Sequence, residues 1–139
     1  MSYLVVFPQQ DEASMAMPRI AVIGVPSSAG GRRTGQEGAP AAFRAAGLLE
    51  RLRAKGLDVA DLGDTPSVSF RPDPEHPRQQ NLDLVVDVAR QAADCVDQAL
   101  ASRRLPLVLG GDCSLSLGVI AGLLRHHSRP LLRALSREL

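Results

Sequence analysis

The chain has no tryptophan, one tyrosine and three phenylalanines in 139 residues, so aromatics make up only 3%. Its core must therefore be built from Leu, Val, Ile and Ala. Two cysteines, Cys95 and Cys113, are too few for a disulfide framework. The start, Met1 to Phe7, has a short apolar run but neither a basic flank nor a cleavage-type site, so it does not resemble a secretory leader. No apolar stretch approaches the ~18 residues a membrane-spanning helix needs. The expected location is cytoplasmic. Charge of one sign is also missing. Sixteen Lys and Arg face fifteen Asp and Glu, for a net charge of +1, which excludes general electrostatic binding to nucleic acid or anionic lipid. The arginine-rich end after His127 reads as a solvated terminus.

What remains is ordinary for one globular domain: 45% hydrophobic and 22% charged residues. Residues 1–17 read as a flexible leader, with Met15 and Met17 as conceivable later starts. Arg19 to Val25 is a continuous apolar run of the kind found in a strand covered on both faces. Pro26 ends it, and Ser27 to Gly38 form a glycine-rich loop. Pro40 opens a helix, with Phe43, Ala46, Leu49 and Leu52 at near-helical spacing and Gly56 placed to cap its end. Leu57 to Leu62 reads as a short strand. Four prolines between residues 63 and 80 predict a long loop. Asn81 then stands as N-cap of the longest helix, whose apolar face carries Val88, Ala92, Val96 and Ala99. Leu105 to Leu109 is a buried strand, and a last helix runs from about Ser114 to His126. Alternating strands and helices predict an α/β fold with a parallel sheet and right-handed crossovers.

The turn Gly110-Gly111-Asp112-Cys113-Ser114 joins a strand end to a helix start, where open α/β sheets place ligand chemistry. Three readings stand side by side. It is a tight structural turn with Asp112 or Ser114 capping the helix, or a reactive thiol at a helix N-terminus, or a metal site with its ligand just after Asp112. The loop after the first strand has neither the G-x-G-x-x-G spacing nor a Walker lysine, which argues against nucleotide binding. His126 and His127 point about 100° apart on a helix, so they do not chelate as a pair and read as exposed helix-end residues. His76 reads as solvated, and Cys95 as a small buried hydrophobe.

Four segments in order resemble the ureohydrolase family, which includes arginases and agmatinases. Gly24-Val25-Pro26 and its glycine loop resemble the family's opening strand. Pro40-Ala41-Ala42-Phe43-Arg44-Ala45-Ala46-Gly47-Leu48 is similar to "G-P-x-x-[ILF]-R-x-x-G-L". Val59-Ala60-Asp61-Leu62-Gly63-Asp64 resembles "V-x-D-x-G-D", and Pro106 to Gly118 resembles "P-L-V-L-G-G-D-H-S-L-x-x-G". The resemblance implies a three-layer α/β/α fold and two Mn²⁺ ions whose bridging hydroxide attacks a guanidino or amidino carbon. It places the N-terminal half of such a domain at residues 18–127, with a divergent tail at 128–139.

Two departures follow. Cys113 stands where the family has a histidine ligand, and a soft thiolate favours zinc over manganese. The family's "D-A-H-x-D" and "D-x-D-x-x-D-P" segments, which carry the other ligands, are absent, as in a truncated or frameshifted product. Pro130-Leu131-Leu132 could open the next family strand. The expectation is therefore a chain with no catalytic residues of its own. Cys113 would lie at a vestigial metal position, supported by Gly110, Gly111, Asp112 and Ser114. Alternatives are a non-catalytic fragment that self-associates through an incomplete sheet or binds a full-length homologue, and a cysteine-dependent enzyme using Cys113. The implied partner of the family is a small guanidino or amidino substrate, with no nucleic acid or membrane partner.

Overall fold

A computed structural model describes residues 17–135, with side chains as far as His127. The expected leader thus falls almost wholly outside the described residues, as do the side chains of the tail. Three parallel strands, β1 (Arg19–Val25), β2 (Asp58–Asp64) and β3 (Leu105–Gly110), lie in the order β2-β1-β3. Two short helices, α1 (Ala39–Ala45) and α2 (Leu48–Ala54), connect β1 to β2. Helix α3 (Leu82–Ala101) connects β2 to β3, and α4 (Ser116–Leu135) follows a single 3₁₀ turn at Cys113–Leu115.

β1 is the centre because every residue after Arg19 is buried. Its side chains alternate between two cores, as a pleated strand requires. Ala21, Ile23 and Val25 pack with Val88, Ala92 and Ala99 of α3. Ile20 and Val22 pack with Val59 and Leu109 on the other face, flanked by Leu48, Leu49 and Leu52 of α2. With no tryptophan and few large side chains, these layers close through small residues. Helices α3 and α4 approach closely. A side chain at Gly118 would lie 2.3 Å from the Ala89 carbonyl oxygen, and one at Gly122 would lie 2.7 Å from that of Ala93.

Several sequence expectations are revised. The helix predicted from Pro40 onward is two helices, because Gly47 adopts φ 80 and breaks it. Asn81 occupies the N-cap position without capping. Its side-chain amide donates instead to the Arg71 carbonyl at 2.8 Å, fastening the proline-rich loop to α3. The last helix continues to Leu135, so Pro130-Leu131-Leu132 begins no strand. Residues 131–135 are Leu, Leu, Arg, Ala and Leu, all good helix formers. His126 is consequently not a helix-end residue. It is half-buried within α4, with Nδ1 3.5 Å from the Asp97 carboxylate of α3.

Candidate functional site

The carboxyl ends of β1 and β3 meet at one latch, and Asp112 is its centre. Asp112 is 7% exposed and extended, at φ −94 and ψ 167. Its backbone N–H donates to the Ser27 carbonyl at 2.9 Å. One carboxylate oxygen accepts from the Ser114 N–H at 2.9 Å and from the Ser114 hydroxyl. The other accepts from the Gly30 N–H at 3.2 Å and the Ser27 hydroxyl at 3.4 Å. Both oxygens are thus committed to holding the glycine loop against the β3 turn. Gly111 is required here, since a side chain on it would lie 1.8 Å from the Ser27 carbonyl oxygen.

Ser27 and Ser28 are fully buried, and sequence reasoning passed over them. The Ser28 hydroxyl accepts from the Phe70 N–H at 2.8 Å, and the Ser28 N–H donates to the Val68 carbonyl at 2.9 Å. The two serines therefore fix the start of the proline-rich loop as well as the turn. A pair of serines directly after a strand-ending Pro26 was the available signal. Glu37 braces the same loop, accepting from the Gly35 N–H at 2.7 Å and the Ser69 hydroxyl at 2.9 Å. Its own backbone N–H and the Ser28 hydroxyl, with these contacts, hold its carboxyl down to about 2.

Cys113 follows Asp112 but takes no part in the hydrogen bonds of the latch. Its thiol is free and exposed, while its carbonyl accepts from the Ser116 hydroxyl at 2.7 Å. Among the described residues, no three His, Cys, Asp or Glu side chains converge as a metal would require. The two manganese ions implied by the resemblance do not fit the donors present at this turn: one exposed thiol and one carboxylate already saturated by hydrogen bonds. A cleft of about 690 Å³ opens beside the latch, walled in part by Gly30, Arg32, Phe70, Arg78 and Ser114. Two guanidinium groups and no carboxylate line it, a balance that repels a guanidinium cation.

The remaining candidates lie elsewhere. His76 is exposed and pairs with Asp73 at 3.1 Å. His126 and His127 meet edge to face, with ring centroids 5.9 Å apart. Cys95 is half-buried against the α3 core, and burial, reinforced by Asp94, pushes its thiol up. A second cluster at the far edge joins two of the quoted motifs. Arg44 grips Asp61 through two hydrogen bonds of 2.8 Å and reaches Asp64 at 2.6 Å.

A parallel sheet whose strand ends feed a glycine turn and a cleft defines an α/β protein with its candidate site at the carboxyl edge. A sequence profile of the arginase family matches residues 18–133, and the chain belongs to that family. It is 39% identical over 115 residues to the arginase of Bacillus caldovelox, covering 81% of this chain but 38% of that protein. A Staphylococcus aureus arginase is 36% identical over 112 residues, with 78% of this chain and 37% of that one covered. The crystal structure of Bacillus subtilis arginase superposes with a TM-score of 0.67 at 37% identity, covering 78% of this chain and 35% of that one. The chain therefore spans well under half the length of these relatives. None of the helices, over the described residues, is long and apolar enough to cross a membrane.

Proposed function

We propose that the chain carries the amino-terminal portion of a ureohydrolase whose family activity is metal-dependent hydrolysis of a guanidino C–N bond, and that these 139 residues alone do not catalyse it. One observation carries this reading: the Asp112 carboxylate is spent on the latch, leaving Cys113 as a lone exposed donor at the turn. A hydroxide-activating metal pair needs several hard donors gathered from different strands. In this reading Gly110, Gly111, Asp112 and Ser114 keep the scaffold of the turn without its chemistry, and Cys113 is a softer replacement for a metal-binding histidine. The two arginines on the cleft wall support it, because they disfavour entry of a cationic guanidine. The two free cysteines support a cytoplasmic location.

The test is direct. Purified 139-residue protein is incubated with Mn²⁺ and, separately, L-arginine and agmatine, while urea release and bound metal are measured. No urea and no stoichiometric manganese are expected. Urea release with tightly held Mn²⁺ would overturn the reading.

A further inference from the structure

Around the sheet and on the helices, arginines are neutralised by aspartate: Arg19, Arg44, Arg104 and Arg125 each take one. Arg32 and Arg78, on the wall of the cleft of about 690 Å³, pair with no carboxylate among the described residues. The acids of the surrounding segments are engaged or lie elsewhere. Glu37, on the glycine loop, accepts from the Gly35 N–H and the Ser69 hydroxyl. Asp112 is held by the latch, and Asp73 takes the N–H and the ring of His76. Asp83 lines a separate cavity, and Glu75 is exposed and off the cleft wall. Two guanidinium groups therefore share one opening with nothing to offset them, which raises the local concentration of anions.

Other parts of the wall shape what fits. Gln80 and Val85 flank the start of α3. No side chain caps that N-terminus, because the Asn81 amide donates to the Arg71 carbonyl, so a 20-residue helix adds its positive end. Phe70, Pro77 and Val85 make part of the wall apolar. Gly30 keeps the rim bare, since a side chain there would lie 2.6 Å from the Ser114 hydroxyl. The volume falls within the range of small-molecule sites.

We propose that this cleft binds a small phosphate monoester with an apolar body. The guanidinium forks of Arg32 and Arg78 take the phosphate oxygens, for which their planar N–H pairs are suited. Phe70, Pro77 and Val85 take the organic part. A monocarboxylate balances one arginine, whereas the phosphate charge of about −2 at neutral pH balances both. The ligand differs from the guanidino substrate the family implies, and its binding needs neither metal nor turnover.

The experiment titrates the full 139-residue chain with phenyl phosphate at low salt, read by calorimetry and by amide chemical shifts. One-to-one binding with a Kd of about 1 mM or tighter is expected, with shifts in residues 30–32, 70 and 77–85. Added salt should weaken it. Inorganic phosphate, which lacks the ring, and benzoate, which lacks the second charge, should each bind about tenfold more weakly, and the cation benzamidine should not bind. Arg32→Gln and Arg78→Gln should each weaken phenyl phosphate about fivefold or more. Both side chains are exposed, so the circular dichroism of these variants should match the parent. Arg33→Gln alters an exposed arginine off the cleft wall and should leave the affinity unchanged. The proposal is overturned by binding that is absent or does not saturate, or by shifts confined to residues outside the cleft. It is equally overturned if benzoate or inorganic phosphate binds as tightly as phenyl phosphate, or if Arg33→Gln loses as much as Arg32→Gln. Urea release by the chain would instead sink the functional reading and leave this site standing.

Discussion

The two edges of the sheet are made of opposite chemistry. On the β2 side, Asp58, Asp61 and Asp64 are exposed and each is held by arginine. Asp58 takes Arg19 at 3.0 Å and Arg104 at 3.1 Å, while Arg44 holds both Asp61 and Asp64. On the β3 side there is no charge in the strand, and leucines stand exposed on the adjoining helix. Charged edges resist the addition of another strand, whereas uncharged ones invite it. Among the described residues the sheet thus has one charged edge and one uncharged edge.

The joint between the two halves should be the most sensitive point. Asp112→Ala removes the acceptor shared by Gly30, Ser27 and Ser114 and leaves buried donors unsatisfied, a loss of about 3 kcal/mol. Denaturant unfolding measures it, and a loss under 1 kcal/mol would show that the loop and the turn are not coupled through this carboxylate. Next comes the contact supporting the open side. Gly118→Val forces a side chain into the Ala89 carbonyl and should cost about 2 kcal/mol by prising α4 from α3. Exchange protection should then fall in α4 while β1 and β2 keep theirs.

Arg44→Ala attacks the closed edge. The charge-assisted bonds to Asp61 and Asp64 are partly exposed, so about 1 kcal/mol is expected, with the loss confined to β2 and α1. Acid probes the same edge without mutation. The Arg44 hydrogen bonds hold the Asp61 carboxyl, and those from Arg104 and then Arg19 hold the Asp58 carboxyl, below the ordinary aspartate value of 3.8. A lowered folded-state pKa contributes stability that is present above 3.8 and lost as pH falls through the depressed value. Amide exchange followed downward from pH 5 should therefore loosen β2 below pH 3.8 before β3 responds. Smallest of all, Leu117→Glu in the isolated chain should change stability by less than about 0.5 kcal/mol, because the side chain is exposed. A larger loss would show that the open side is already covered.

Much of the local structure was readable in advance. The unbroken apolar run of β1 predicted a strand covered on both faces, and the glycine pair at the end of β3 predicted a tight turn into a helix. Asn81 misled, because its residue type favours N-caps while its amide found a better acceptor on Arg71. The Arg44 clamp was half visible: the quoted motifs contain Arg44, Asp61 and Asp64, but no spacing rule links a helix residue to a strand seventeen positions on. His126 was misjudged because its partner, Asp97, lies on another helix.

Taken by itself, the order of residues determined the periodicities, the breaks and therefore the parallel α/β class, since these depend on neighbours within a few positions along the chain. The tertiary structure alone decided that Asp112 meets Ser27 and Gly30, 85 and 82 residues away, that one sheet edge is closed by arginines, and that one helix face stays exposed. Such pairings form only when distant strands are brought into register, because burial and hydrogen-bond satisfaction are properties of the closed chain and of no segment within it.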